Sequence, residues 1–203
     1  MDKEPSERGD MSDMAWPARG MKLFTSDPPG KTLAWLSPSR EAYIVSEGYV
    51  MAADLMVERI QSKPPGDIDF LIWPIVFCYR QAIELELKEA LVVARRLTRS
   101  GKGFKAGHDL CKLWSALETE LTGLSVVVER AEEISVLDSL IDEFHDKDPQ
   151  SFHFRYTRDT EGRALRNEQE RIQLTVLANG CRAIRNWLSG LIDWLGALED
   201  AQP

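Results

Sequence analysis

The stretch that most constrains this chain runs from Asp69 to Leu97 and reads DFLIWPIVFCYRQAIELELKEALVVARRL. At 3.6 residues per turn, Ile72, Val76, Tyr79, Ile83, Leu87, Ala90, Ala94 and Leu97 fall on one side, and Phe70, Trp73, Phe77, Leu85, Leu91 and Val92 on another. A helix that is apolar nearly all round belongs in the middle of a bundle. Into it the sequence sets one narrow stripe of Arg80, Gln81, Glu84 and Lys88, with Arg80 to Glu84 and Glu84 to Lys88 each four residues apart. Ionisable groups in a core cost several kcal/mol unless they are paired or reach a solvated site. The stripe is therefore either a structural ion-pair ladder or the lining of a polar pocket.

The chain has 203 residues, enough for one domain with a substantial core and too few for two full ones. Its formal net charge of −8 disfavours indiscriminate attraction to polyanions, although a local basic patch can override it. Cys78, Cys111 and Cys181 sit in apolar helical contexts without metal-ligand spacing, so they read as small hydrophobes, and neither a metal nor a cofactor is expected. Arg80 and Glu84 interrupt the best candidate for a membrane span. The N-terminal MDKEPSERGD has acids and no apolar region, unlike a secretory signal. A cytoplasmic protein without membrane contact is expected.

Residues 1–36 are rich in Pro, Gly, Ser, Asp and Glu and predict a loose arm, with Met21 to Thr25 a short docking segment. A single helical domain is expected over 37–200. Its first helix should start near Ser37 to Ser39 and carry Ala42, Tyr43, Tyr49, Val50, Ala53, Leu55, Met56 and Ile60, before Pro64, Pro65 and Gly66 break it. Asp67 or Asp69 is placed to cap the central helix, and Pro74 falls in its first turn or marks a modest kink. Further helices are predicted over Asp109 to Leu121, over Leu124 to Phe144 with Ala131 inward, and over Asn167 to Leu198 with Val176 on the apolar face. Between the last two, Phe152, Phe154 and Tyr156 alternate with His153 and Arg155, predicting a small hairpin or ordered loop near 150–163 that turns at Asp159 to Gly162.

Against the acidic trend, Arg95, Arg96, Arg99, Lys102 and Lys105 gather without an intervening acid. This segment reads either as a phosphate or RNA contact or as a helix end whose carbonyl dipole favours cations. The order of glycine and lysine does not make a phosphate-binding loop. His108 and Asp109 follow, at the first turn or cap of the next helix. There the histidine is a packing residue, or a neutral base and hydrogen-bond partner.

The motifs YRQAIELELKEAL (Tyr79 to Leu91) and GHDLCKLW (Gly107 to Trp114) resemble those of the bacterial HEPN-type helical proteins. The similarity covers roughly Ala52 to Leu121 and extends more weakly to FRYTRD and the last helix. It implies an all-α, up-and-down bundle of four to five helices, commonly a homodimer, at work in toxin-antitoxin, phage-defence or stress systems beside a partner protein encoded by an adjacent gene. Active relatives are metal-independent ribonucleases marked by an arginine followed four to six residues later by a histidine. No arginine precedes His108, His145 or His153 at that distance.

A surviving activity on RNA or nucleotide phosphate would need a different assembly, with His108, His153 and Arg155 as the chemical groups and Arg80, Glu84, Lys88 and Asp109 in support. On an extended segment His153 and Arg155 would share one face. Alternatively, Arg155 pairs with Glu84 or with an acid among Asp138 to Asp142 and merely ties the loop to the bundle. Three function classes follow: a degenerate ribonuclease, a non-catalytic nucleotide-binding module, and an antitoxin-like scaffold. Zinc hydrolase and serine hydrolase readings fail for want of HExxH, paired CxxC or a Gly-x-Ser-x-Gly elbow.

Overall fold

The computed structural model describes residues 19, 21, 23, 24, 34, 42–62, 66–101, 107–124, 130–165 and 171–201. The chain divides into two compact units, Met1–Pro38 and Ser39–Pro203. Most of the first unit, together with Pro64, Pro65, the Ser37 to Ser39 cap, Lys102, Lys105 and Val127, lies outside the described residues.

The second unit is an all-α bundle. Its described helices are α1 (Ala42–Ser62), α2 (Ile68–Thr98), α3 (Leu110–Gly123), α4 (Ala131–Lys147) and α5 (Leu174–Asp200). No described helix is long and apolar enough to cross a membrane. As its wheel requires, α2 is the axle: it packs against α1, α3 and α5, while α4 packs on α3 and α5. Ile75, Val76, Tyr79, Ile83, Leu87, Ala90, Leu91, Ala94 and Leu97 of α2 are buried among Ala53 and Val57 of α1, Leu110, Leu117 and Leu121 of α3, and Ile184, Leu188 and Leu195 of α5. Burial of each Val, Leu or Ile among them contributes about 1.5–3 kcal/mol.

Several boundaries differ from the sequence expectation. Asp67 occupies the N-cap position of α2, but its carboxylate meets Arg59 at 3.3 Å and makes no cap bond, and Asp69 lies inside the helix. Pro74 lies well within α2 rather than in its first turn. The opening of α2 is also less covered than its apolar wheel suggests, since Phe70 is 78% exposed. In α4, which starts at Ala131, that alanine is exposed, whereas Ile134, Leu137, Ile141 and Phe144 turn inward as expected. Helix α5 begins at Leu174 because the Gln173 side chain accepts from the backbone N–H of Thr175 and Val176; Val176, in that first turn, is exposed rather than apolar-facing.

The segment 148–165 is turns, not an extended strand. Asp148 is fully buried, and its Oδ1 accepts from the backbone N–H of Phe152 at 2.7 Å and of His153 at 3.0 Å. Those bonds curl the chain, and Arg155 and Tyr156 then donate back to the Phe152 carbonyl. Only Phe154 of the three expected aromatics is buried. Beyond it, Asp159 turns the chain through Gly162, which has φ +81°, and one isolated bridge joins Arg158 to Ala164.

Candidate functional site

The charged stripe of α2 is a completed ladder. Arg80 and Glu84 are fully buried and meet at 2.8 Å, and Lys88 Nζ lies 2.6 Å from the other Glu84 oxygen. Two loops close over it. The Arg80 guanidinium donates through Nη2 to the His108 carbonyl at 2.5 Å and through Nε to the Asp148 carbonyl at 3.2 Å, with Asp148 Oδ2 at 3.5 Å. His108 returns its ring Nδ1 to Glu84 Oε1 at 2.8 Å. Arg80 thus fastens the start of α3 and the end of α4 to the central helix, and Gln81 of the original stripe stands half-buried beside the ladder without a part in these contacts.

Burial pushes the Glu84 carboxyl upward, but hydrogen bonds from Lys88, His108 and Arg80 outweigh it and hold the group below the usual carboxylate range. An ionised Glu84 accepts only, so the His108 Nδ1 facing it carries a proton, and in the neutral ring the lone pair then falls on Nε2. The His108 side chain is 58% exposed and Lys88 22%, so the ladder shows solvent one imidazole and one ammonium. His108 therefore stands beside a carboxylate, at the solvent edge of the ladder.

The other predicted residues are distributed differently. Asp109 caps α3, its Oδ1 accepting from Lys112 N at 3.0 Å, and a second oxygen meets Lys112 Nζ at 2.9 Å. His153 spends Nδ1 on the Lys147 carbonyl at 2.9 Å. Arg155 is exposed; it bonds the Ser151 carbonyl and lies over the rings of Phe77, Phe152 and Tyr156 at 5.2–5.7 Å. Arg155 is thus an aromatic-stacked residue of its own turn. It joins neither the ladder nor the acids of α4, because the turn nucleated by Asp148 sets Phe152 and Tyr156 one helical turn apart around it.

The basic segment loses much of its free charge through the fold. Arg96 grips Glu199 with two bonds of 2.7 and 2.8 Å, and Arg95 faces Glu120 at 3.6 Å. Arg99 is exposed and takes the left-handed C-cap of α2, its N–H returning to the Arg95 and Arg96 carbonyls.

Residues that the sequence reading passed over also carry buried chemistry. Glu86, buried on α2, accepts from Ser46 Oγ at 3.3 Å and Arg185 Nε at 3.2 Å, while Arg185 also bonds Glu47. Burial pushes the Glu86 carboxyl up to about 7 against the Ser46 hydrogen bond. It lines a cleft of about 330 Å³ with Tyr43, Glu89, Ser189 and Asp193. A neighbouring network joins Tyr79 to Asp54 and Asp54 to Arg182. The available signal was the pairing of Glu47 and Asp54 on α1 with Arg182 and Arg185 on α5, which flank a helix without a solvent face.

Comparison with family models, curated proteins and solved structures finds no match to this chain.

Proposed function

We propose that the chain is a HEPN-like protein that engages RNA or nucleotide phosphate at the outer edge of the ladder, with His108 as the group that meets the phosphate and Lys88 supplying charge beside it. One observation carries this reading: the two motifs that bear the resemblance meet in the Glu84–His108 hydrogen bond at 2.8 Å, behind an imidazole that is 58% exposed. A buried carboxylate fixes the ring's tautomer and orientation, which leaves Nε2 free to accept a proton from an attacking hydroxyl or, once protonated, to donate one to a phosphate oxygen. Arg80 is fully buried, so its part is to position the His108 loop through its carbonyl. Arg155 and His153 have no part in this site.

The test is a thermal-shift series with mono-, di- and cyclic nucleotides and a short RNA, alongside a metal-free RNA cleavage assay. Phosphate-bearing ligands are expected to stabilise the wild type and not His108→Ala, whose far-UV circular dichroism stays unchanged. A flat response across all ligands, or equal cleavage by wild type and variant, removes the site.

A second reading, the interaction module, is favoured by α1. Ile44, Met51 and Leu55 recur along one side of it and are 42%, 56% and 63% exposed. Light scattering distinguishes the two: self-association lost in Met51→Glu, with nucleotide binding intact, assigns α1 to assembly and leaves His108 as the phosphate site.

A further inference from the structure

Three donors of different chemistry converge between the start of α3 and the end of α4. The Asp109 carboxylate, the Cys111 thiol and the His145 imidazole each offer an atom, and these atoms all lie within 4.8 Å of one another. Cys111 stands two residues after the cap Asp109, and His145 lies on the inner side of the last turns of α4. A fourth group is close by, since Cys111 Sγ donates to Asp142 Oδ1 at 3.2 Å.

His145 Nδ1 is buried and has no hydrogen-bond partner, although Asp109 Oδ1 lies only 3.4 Å away. A buried ring nitrogen without a partner is costly, and this one faces the same space as the thiol and the carboxylate. Among the described residues, Asp109, Asp142 and Asp146 each bring a carboxylate to bear on the Cys111 thiol, while the Lys112 ammonium sits on the outer Asp109 oxygen. The surplus of negative charge outweighs the positive N-terminal end of α3 and favours a cation there.

We propose that Asp109, Cys111 and His145 form a binding site for a zinc-like divalent metal ion, which clips the start of α3 to the end of α4. Sulfur, imidazole nitrogen and carboxylate oxygen together suit a borderline-soft ion that accepts tetrahedral coordination, and they exclude magnesium or calcium, which take oxygen sets. Three protein donors leave the fourth position to water, with Asp142 on the sulfur as the nearest further carboxylate. Binding exchanges the S–H bond for a metal–thiolate bond and releases that proton to solvent; no electron is transferred. The clip adjoins His108 in sequence and shares no donor atom with the Glu84–His108 pair.

The test is titration of the metal-stripped full chain with cobalt(II), read by absorption. The wild type should show thiolate-to-cobalt charge transfer and the visible bands of a tetrahedral site, both displaced by zinc. Cys111→Ser should lose the charge-transfer band at unchanged far-UV circular dichroism, while Cys78→Ser keeps it. Asp109→Asn retains a cap-competent side chain. It should keep the band but bind more weakly by at least the roughly 10-fold that loss of an outer supporting group brings. His145→Gln should weaken binding to a similar or larger degree. No charge-transfer band in the wild type, or the same band in Cys111→Ser, overturns the site. So does unaltered affinity in both Asp109→Asn and His145→Gln.

Discussion

Glu84 and Glu86 sit two residues apart on one helix, both are buried, and they end in opposite electrostatic states. Glu84 receives Arg80, Lys88 and His108 on its two oxygens and is held below the usual carboxylate range in spite of burial. Glu86 shares Arg185 with Glu47, keeps Ser46 as a neutral donor and leaves Oε2 without a partner, so burial prevails and lifts it to about 7. Depth does not separate them. What differs is the number of donors that the neighbouring elements deliver, three from the Arg80 side and parts of two from the α1–α5 side. A buried carboxylate is a fixed anion where its partners are dedicated and a titrating group where they are divided.

The largest expected effect comes from breaking the well-supplied side. Arg80→Met removes a guanidinium with no solvent exposure, takes the partner from Glu84 Oε2 and from the Asp148 carboxylate's inner oxygen, and leaves the His108 and Asp148 carbonyls without this donor. Loss of one partner from a buried ionic network costs about 3–5 kcal/mol. Urea denaturation should show a midpoint lowered accordingly at constant slope. A loss below about 1 kcal/mol means that water reaches the ladder and that its burial does not set the Glu84 state.

How far these two sites can be read from the chain differs in the same way. The ladder was legible because i, i+4 spacing on an apolar helix leaves Arg80, Glu84 and Lys88 nowhere else to go, and the motif beginning at Gly107 brought His108 to it. Asp148 carries no such signal in the chain, since its role depends on the curl of residues 151–156 that its own carboxylate creates. Glu86 was missed because it lies about 200° around α2 from Glu84, off the i, i+4 stripe that pairs the other charges. Only the coverage of α2 by both α1 and α5 buries it, and that is a tertiary fact. For the same reason Arg155 was over-read: alternation in FHFRY suggested a strand, while side-chain to backbone bonds decided for a turn.

Glu86→Gln sharpens the comparison and should have the next largest effect. With a folded value raised to about 7, the native state holds a proton that the unfolded chain has already lost above its ordinary carboxylate range. Wild-type stability therefore falls as pH rises from about 4.5 to 7 on account of this group. Gln removes that slope and should leave the protein more stable than wild type by roughly 3 kcal/mol at pH 8, with under about 1 kcal/mol of difference near pH 5. Glu84 has the opposite sign: its contribution is present above the unfolded value and is lost as pH falls through the lower folded one. Thermal or urea unfolding across pH 4–8 checks both. An unchanged slope in Glu86→Gln places the titrating group elsewhere.

The smallest effect concerns the one neutral donor that Glu86 has. Ser46 is fully buried and gives its hydroxyl both to the Tyr43 carbonyl and to Glu86, where its bond opposes the upward push of burial. Ser46→Ala deletes that bond without adding volume, so the carboxylate loses a donor that its protonated form needs less. The expected loss is about 1 kcal/mol above pH 7 and smaller at pH 5.5, with the Glu86 titration, followed by carboxyl carbon NMR, moving higher. A titration that stays put, with equal losses at both pH values, assigns Ser46 to the Tyr43 carbonyl alone and makes Arg185 the donor that limits Glu86. The contrast with Glu84 would then rest on the sharing of one arginine between two acids.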